Sequence, residues 1–374
     1  MNPKRLMLLM IALVIAAGLL VAACGGSDSD TGSATTEASS ETGSSEEEAS
    51  GGSGGIEVPP ATIAYIEPAA VDEVTNRNVD QLKAAADALG WTVNFTNAQG
   101  DFAKVTAAAE AAVNSGVDAI ILGSTDAKLV RQPLLKAQEQ EIPALVIGGG
   151  VEQDPLYVAQ YTEDEKLMST LLTEKMVEDM GGKGTVAAME ITQLSSGIER
   201  AEARDEVMEG SGVELVDSGE GDLADPIQGT KKIASSLISA NPNLDSMWLV
   251  YDYMMPPSLE VLESAGNKTT EIYTWFAGPE NVEKLRTNPQ VRALIEDNFD
   301  HTSLIAMDQL AAYMAEEAEI NPNALEECPL KYEVIEKENA PPPGELTWSL
   351  EENRAPFIAN WEEGKFGQGA DCGE

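Results

Sequence analysis

The chain has 374 residues, with 64 Asp plus Glu against 23 Lys plus Arg, a formal net charge of −41 and a hydrophobic fraction of 43%. So acidic a surface repels phosphate backbones and anionic lipid head groups, which excludes nucleic-acid binding, while the ordinary apolar content keeps the chain among globular proteins. The single histidine, His301, and the absence of a close cysteine pair give a metal site little support, and no cofactor is expected.

In chain order, a cationic start at Lys4 and Arg5 precedes an apolar run over 6–23 that ends in Val21-Ala22-Ala23-Cys24. A run this short, with small residues before a cysteine, predicts a cleaved export signal over 1–23; a plain transmembrane anchor is the alternative. The four residues resemble the bacterial lipobox, which implies acylation of Cys24 and a chain held by lipid on the outer face of the cytoplasmic membrane. Residues 24–55 carry Glu46-Glu47-Glu48 and Gly51-Gly52-Ser53-Gly54-Gly55 with no apolar periodicity, so they predict a disordered tether. The folded body starts near Ile56 and is long enough for two domains of ordinary size.

The body alternates strands and helices. A short apolar strand over 61–67 is followed by a helix over 78–90 that stops on a glycine and a strand over 91–96. From Asp101, the spacing of Phe102, Val105, Ala109, Ala112 and Val113 marks an amphipathic helix that Gly116 ends, before a buried strand over 117–122. A helix over 128–140 and a strand over 142–147 repeat the pattern, with Pro143 near the strand start where its missing N–H is tolerated. A second series opens after Tyr161: Met168, Leu171, Leu172, Met176 and Met180 lie at helical spacing. Strands are predicted over 184–190, 213–217, 247–251, 272–276 and 291–295 with helices between them. Continuous apolar strands alternating with helices predict an α/β fold of two similar lobes, each a parallel sheet flanked by helices. Ligands of such sheets bind beyond the carboxyl ends of the strands.

With Cys24 acylated, Cys328 and Cys372 form an even pair in an oxidising setting. A disulfide between them is predicted, stapling a tail that holds Pro329 and Pro341-Pro342-Pro343; two free thiols are the alternative. Trp348 and Trp361 suggest that this tail packs on a lobe.

Several phrases in the body carry a resemblance. Asn97-Ala98-Gln99-Gly100-Asp101, the run Gly116-Val117-Asp118-Ala119-Ile120-Ile121 and Glu141-Ile142-Pro143 in the first series are similar to the ribose-binding-like (type I) periplasmic solute-binding proteins. In the second series so are Gly197-Ile198-Glu199-Arg200, Val250-Tyr251-Asp252 and Phe276-Ala277-Gly278-Pro279-Glu280. The resemblance spans about 61–319. It implies two Rossmann-like lobes: an N-terminal lobe over 56–160 completed by about 300–320, a C-terminal lobe over 161–299, and an extension over 321–374. It also implies a monomer that clamps a sugar-like solute between its lobes and delivers it to an ABC permease. A sensor that presents its closed form to a chemotaxis or kinase receptor is the alternative, because the same fold serves it.

The resemblance also points to ligand contacts. Arg200 matches a position that donates to sugar hydroxyls, with a surface salt bridge as its other reading. Asp252, just past a strand, suits hydroxyl donors or a helix cap. Phe276 suits stacking on a ring or the core. Asp297 and Asp72 fall where polar contacts are usual, and Thr125, Gly148 and Tyr251 complete the strand-end set. The departures are as informative. Gly148-Gly149-Gly150 stands where the family carries Asp-Arg, Ala277 replaces an Asp, Val74-Thr75 replace an aromatic pair, and Ala203 and Arg204 replace a glycine and an aromatic. Three glycines after a strand predict open space and free N–H groups for a larger or differently shaped ligand. The acids Asp72, Asp252 and Asp297 suit one carrying an amine. Catalysis is not expected: His301 is alone, Ser195-Ser196 has no visible base, and the glycines do not form a phosphate loop.

Overall fold

The computed structural model describes residues 57–369. The expected export signal, the lipidation at Cys24, the tether and Cys372 lie outside the described residues. Among the described residues no helix is long and apolar enough to cross a membrane.

The first series builds one sheet. Strands β1 (Thr62–Glu67), β2 (Thr92–Asn97), β3 (Ala119–Gly123), β4 (Ala144–Gly148) and β5 (Ala159–Thr162) lie in the order β2-β1-β3-β4-β5, every neighbouring pair parallel. β3 and β4 read Ala-Ile-Ile-Leu-Gly and Ala-Leu-Val-Ile-Gly and are buried at every position, as a sheet covered on both faces requires. The cover comes from α1 (Glu73–Leu89), α2 (Phe102–Ser115) and α3 (Arg131–Glu139). α2 has its expected bounds: the Asp101 carboxylate accepts from the N–H groups of Ala103 and Lys104, and Gly116 ends the helix in the left-handed region. α1 begins earlier than its apolar periodicity predicts. The Asp72 carboxylate accepts the Thr75 N–H at 2.6 Å and caps it there, and the first turns carry Glu73 and the buried Arg77 in place of an apolar stripe.

The second series builds the other sheet. Strands β6 (Lys183–Glu190), β7 (Gly212–Glu220), β8 (Ser246–Leu249), β9 (Glu271–Trp275), β10 (Val291–Asp297) and β11 (Tyr332–Ile335) lie in the order β11-β10-β9-β8-β6-β7, with only β11 antiparallel. Helices α4 (Glu165–Asp179), α5 (Ser195–Met208), α6 (Pro226–Ala240), α7 (Met255–Ser264) and α8 (Pro279–Thr287) belong to this lobe. Its core gathers Met168, Leu172 and Met176 of α4 with Trp248, Tyr273 and Trp275 of the strands, all fully buried.

The rest of the chain stitches the lobes together. α9 (His301–Met314) packs on α1, and Leu304, Met307 and Leu310 join Tyr65, Leu82 and Leu145 in the first lobe's core. α10 (Ala324–Glu327) is also on that side, β11 pairs with β10 in the second lobe, and α11 (Leu350–Glu362) returns to the first, burying Phe357 and Trp361 completely. Trp361 Nε1 donates to Asp308 Oδ1 at 2.7 Å, and the same carboxylate accepts the N–H groups of Gly367 and Gly369. The described chain therefore passes between lobes at 163–164, 298–300, 329–331 and 336–349, and the last two passages belong to the tail. Trp348, in the last passage, is half-buried.

Candidate ligand-binding cleft

Both sheets point the carboxyl ends of their central strands at the same seam, where loops from the two lobes touch. Gly100, at φ +80°, leaves no room for a side chain: a Cβ there would lie 2.6 Å from the backbone of Leu223 and Ala224 in the other lobe. Ser195 Oγ, at the start of α5, donates to Asp126 Oδ2 across the seam at 2.6 Å. Beneath these contacts lies a cavity of about 40 Å³, space for a few water molecules and far below the roughly 300–1,000 Å³ of ligand pockets. The lobes touch across the seam and leave only this narrow space between them.

The first lobe contributes Glu67 from the end of β1, Asp72, Val74 and Thr75 from the capped start of α1, and Ser124 and Gly149 after β3 and β4. The second contributes Leu194, Arg200, Tyr251, Tyr253 and Phe276, while Glu163 and Phe299 come from the passages between lobes. Two residues lining the cavity hold left-handed backbone without being glycine, Ser124 at φ +36° and Phe276 at φ +56°. For an aromatic residue that conformation costs on the order of 1–2 kcal/mol. The Phe276 N–H bond to the Ile295 carbonyl, 2.7 Å, and edge packing on Trp275 and Phe299 hold it there.

Of the residues singled out from the sequence, Asp72, Arg200, Tyr251 and Phe276 line this cavity. Thr125, Gly148, Asp252 and Asp297 stand behind the wall. The Thr125 hydroxyl donates to Gly123 O at 2.6 Å, and Asp252 accepts from its neighbour's N–H at 2.7 Å and from Asn281. Asp297 pairs with Glu163; burial pushes both carboxyls up, with the charge of Asp297 adding to the rise at Glu163 and that of Glu296 to the rise at Asp297. The glycine run does not provide the open space expected of it. A Cβ on Gly148 would meet the Phe299 ring at 2.9 Å, and one on Gly150 would meet the Glu165 side chain at 2.8 Å. The N–H groups of Gly149 and Gly150 already donate to Ser124 Oγ and Glu165 Oε1. The glycines admit protein side chains from distant parts of the sequence.

Arg200 is the most engaged group in the site. Its Nε donates to Glu165 Oε2 at 2.6 Å, Nη1 to the Val250 carbonyl at 3.0 Å, and Nη2 to Glu163 Oε2 at 3.4 Å. Its guanidinium lies 3.7 Å from the Trp275 ring centroid and 4.7 Å from that of Tyr251. Only 1% of its side chain is exposed, so it is a buried cation that organises the floor of the cleft.

Sequence reasoning did not single out Glu67, Tyr253, Glu163 or Phe299. Glu67 closes an otherwise apolar strand, and that was its one visible signal. Its Oε1 accepts from Tyr65 OH at 2.5 Å, yet burial, with the repulsion of Asp72, pushes it up to about 8. Asp72 is also raised, by burial, against its hydrogen bonds from Thr75. A broad, open groove of about 1010 Å³ runs outside the passages between 153–167 and 322–332; it shares only Glu163 with the cleft.

The sequence matches the periplasmic binding protein domain family over residues 34–318. The chain belongs to that family. It is therefore an extracytoplasmic binding protein and not an enzyme. No curated protein matches the sequence. Among solved structures, a 5-methylthioribose transporter solute binding protein from Thermotoga lettingae, in complex with 5-methylthioribose, aligns with a TM-score of 0.69 at 15% identity. The alignment covers 82% of this chain and 99% of that one. The myo-inositol binding protein of Caulobacter, bound to myo-inositol, aligns with a TM-score of 0.67 at 17% identity over 75% and 94% of the two chains. An ABC transporter solute binding protein from Mycobacterium smegmatis with bound glycerol gives 0.67 at 19% over 75% and 96%. At these identities the likeness is one of fold, the two-lobed type I arrangement described above.

Proposed function

We propose that this protein captures a small, hydroxyl-rich solute, a sugar or sugar-like compound, between its lobes and hands it to an ABC importer. The observation that carries the reading is the closed seam. Strand ends of both lobes, a buried arginine, carboxyl groups and four aromatic rings converge on one narrow cavity, which a hinge motion between the lobes would widen. The solved relatives with bound 5-methylthioribose, myo-inositol and glycerol support the same chemistry. In this reading Asp72, Arg200, Tyr251 and Phe276 meet the solute together with Glu67, Tyr253 and Phe299, while Thr125, Gly148, Asp252 and Asp297 support them from behind. The lobes comprise 56–160 with about 300–320, and 161–299. The tail over 321–374 straps the hinge and is closed by a disulfide between Cys328 and Cys372. A lipid on Cys24, exposed by removal of 1–23, and a tether over 24–55 hold the monomer at the outer face of the cytoplasmic membrane.

Small-angle scattering tests the hinge. A solute that stabilises the protein is expected to shift the chain from a mixture of open and closed forms to the compact form, lowering the radius of gyration. A profile unchanged at saturating solute contradicts capture by closure.

A further inference from the structure

The cleft is richer in carboxyl groups than a neutral sugar requires. Glu67, Asp72 and Glu163 line it, and Arg200 is the one cationic side chain among its walls. Arg200 is already committed elsewhere: it binds Glu165 at 2.6 Å, outside the cavity wall, and Glu163 at the longer 3.4 Å. Glu67 is left with the Tyr65 hydroxyl and Asp72 with the Thr75 N–H, neither of which supplies a positive charge. One further group lining the cavity is buried without a hydrogen-bond partner, Tyr253 OH, on a residue only 8% exposed. Buried polar atoms are rarely left so. The ring of Tyr253 stacks on that of Tyr251 at 5.8 Å, and Phe299 packs edge-on to Phe276 at 6.1 Å, so aromatic surface lies beside the acids. Carboxylates together with ring faces form the environment that recognises an ammonium group.

We propose that the solute taken by this cleft carries a protonated amine as well as hydroxyls, as an amino sugar, aminocyclitol or amino-polyol does. The ammonium lies between Glu67 and Asp72 on the first lobe. A hydroxyl of the same molecule reaches Tyr253 OH on the second lobe, so one ligand bridges both lobes. Burial raises both Glu67 and Asp72, in Asp72 despite the opposing charge of Arg200, and this agrees with carboxyls that gain a further partner from outside the chain. The inference rests on the solute-capture reading and deepens it.

Calorimetric titration of the full chain with two matched pairs tests it: 1-amino-1-deoxysorbitol against sorbitol, and an inosamine against myo-inositol. The amine of at least one pair is expected to bind about tenfold to hundredfold more tightly than its neutral partner, the range of a charge-assisted hydrogen bond in a buried site. Glu67→Gln and Asp72→Asn, checked for folding by thermal melting, are each expected to bring that ratio close to one, whatever they do to the affinity of the neutral member. Two variants are needed because either substitution alone can perturb the closed form. A neutral member that binds as tightly as its amine, or a preference that survives in both variants, overturns the amine assignment and leaves solute capture standing. If both pairs fail and a wide set of neutral sugars and polyols also fails to raise the melting temperature, both readings fall together.

Discussion

Two arginines lie buried at the junction of the lobes, and they do different things. Arg77, on α1, binds Glu296 of β10 at 2.8 Å and faces Glu73 and Asp300 at 3.6 and 3.9 Å. That cluster is sealed by the tail: Asp300 Oδ2 also accepts from Gln81 and Asn353, and Gln81 Oε1 from Arg354. Arg200 has the same kind of acidic company, Glu163 and Glu165, but it stands against the cleft and under aromatic rings. A buried ion cluster is thus structural or functional according to what covers it. In one case the cover is the chain's own α11, in the other a cavity that opens to solvent with the lobes.

The largest expected effects separate these two roles. Replacing either arginine strands carboxylates in the interior, which costs about 3–5 kcal/mol. Arg77→Met and Arg200→Met should both lower the unfolding free energy, measured by urea titration, by that order. Only the Arg200 change should also weaken solute binding by tenfold or more, with both quantities measured on the same preparations. A binding loss as large for Arg77→Met would erase the distinction between the clusters.

A smaller effect concerns Glu67, the acid with no cation. Burial raises it from 4.5 to about 8, so the folded chain favours its protonated form. Its contribution to stability is whole below about pH 4.5 and is lost as pH rises through about 8, a change of a few kcal/mol. The urea midpoint of the solute-free protein should therefore fall from pH 5 to pH 8, and Glu67→Gln should flatten that slope. A slope that is the same in the variant would show that Glu67 is not the group responsible.

The alternation of strands and helices was legible because each element of the lobes is set by local pattern: five-residue apolar strands, Asp101 and Gly116 at the ends of α2, Pro143 just ahead of β4. Strand-end placement was legible too, since topology alone puts Asp72, Tyr251 and Phe276 at the seam. What stayed hidden depends on residues far apart in the chain. Whether Gly148 and Gly150 open a pocket was decided by Phe299 and Glu165, which fill the space. Whether Arg200 points to a ligand or to protein was decided by two acids, Glu163 on the first passage between lobes and Glu165 at the start of α4. Strands β5 and β11 are four residues each, too short for a periodic signal, and take their place by pairing with β4 and β10.

A finer adjustment lies at the rim. The Ser195 to Asp126 hydrogen bond joins the lobes only when they are closed. Ser195→Ala should shift the closed population by roughly 1 kcal/mol and weaken solute binding several fold, with thermal stability changed little. Equal affinity for both proteins would place the latch outside the closing equilibrium.

The most direct test of solute capture is native mass spectrometry of the chain purified without denaturation, repeated after unfolding and refolding and again on Arg200→Met. The account predicts a mass excess of one small molecule that unfolding removes and that the variant lacks. A bare chain mass in the first measurement, with no sugar, polyol or amino-polyol that restores an adduct on addition, would contradict it.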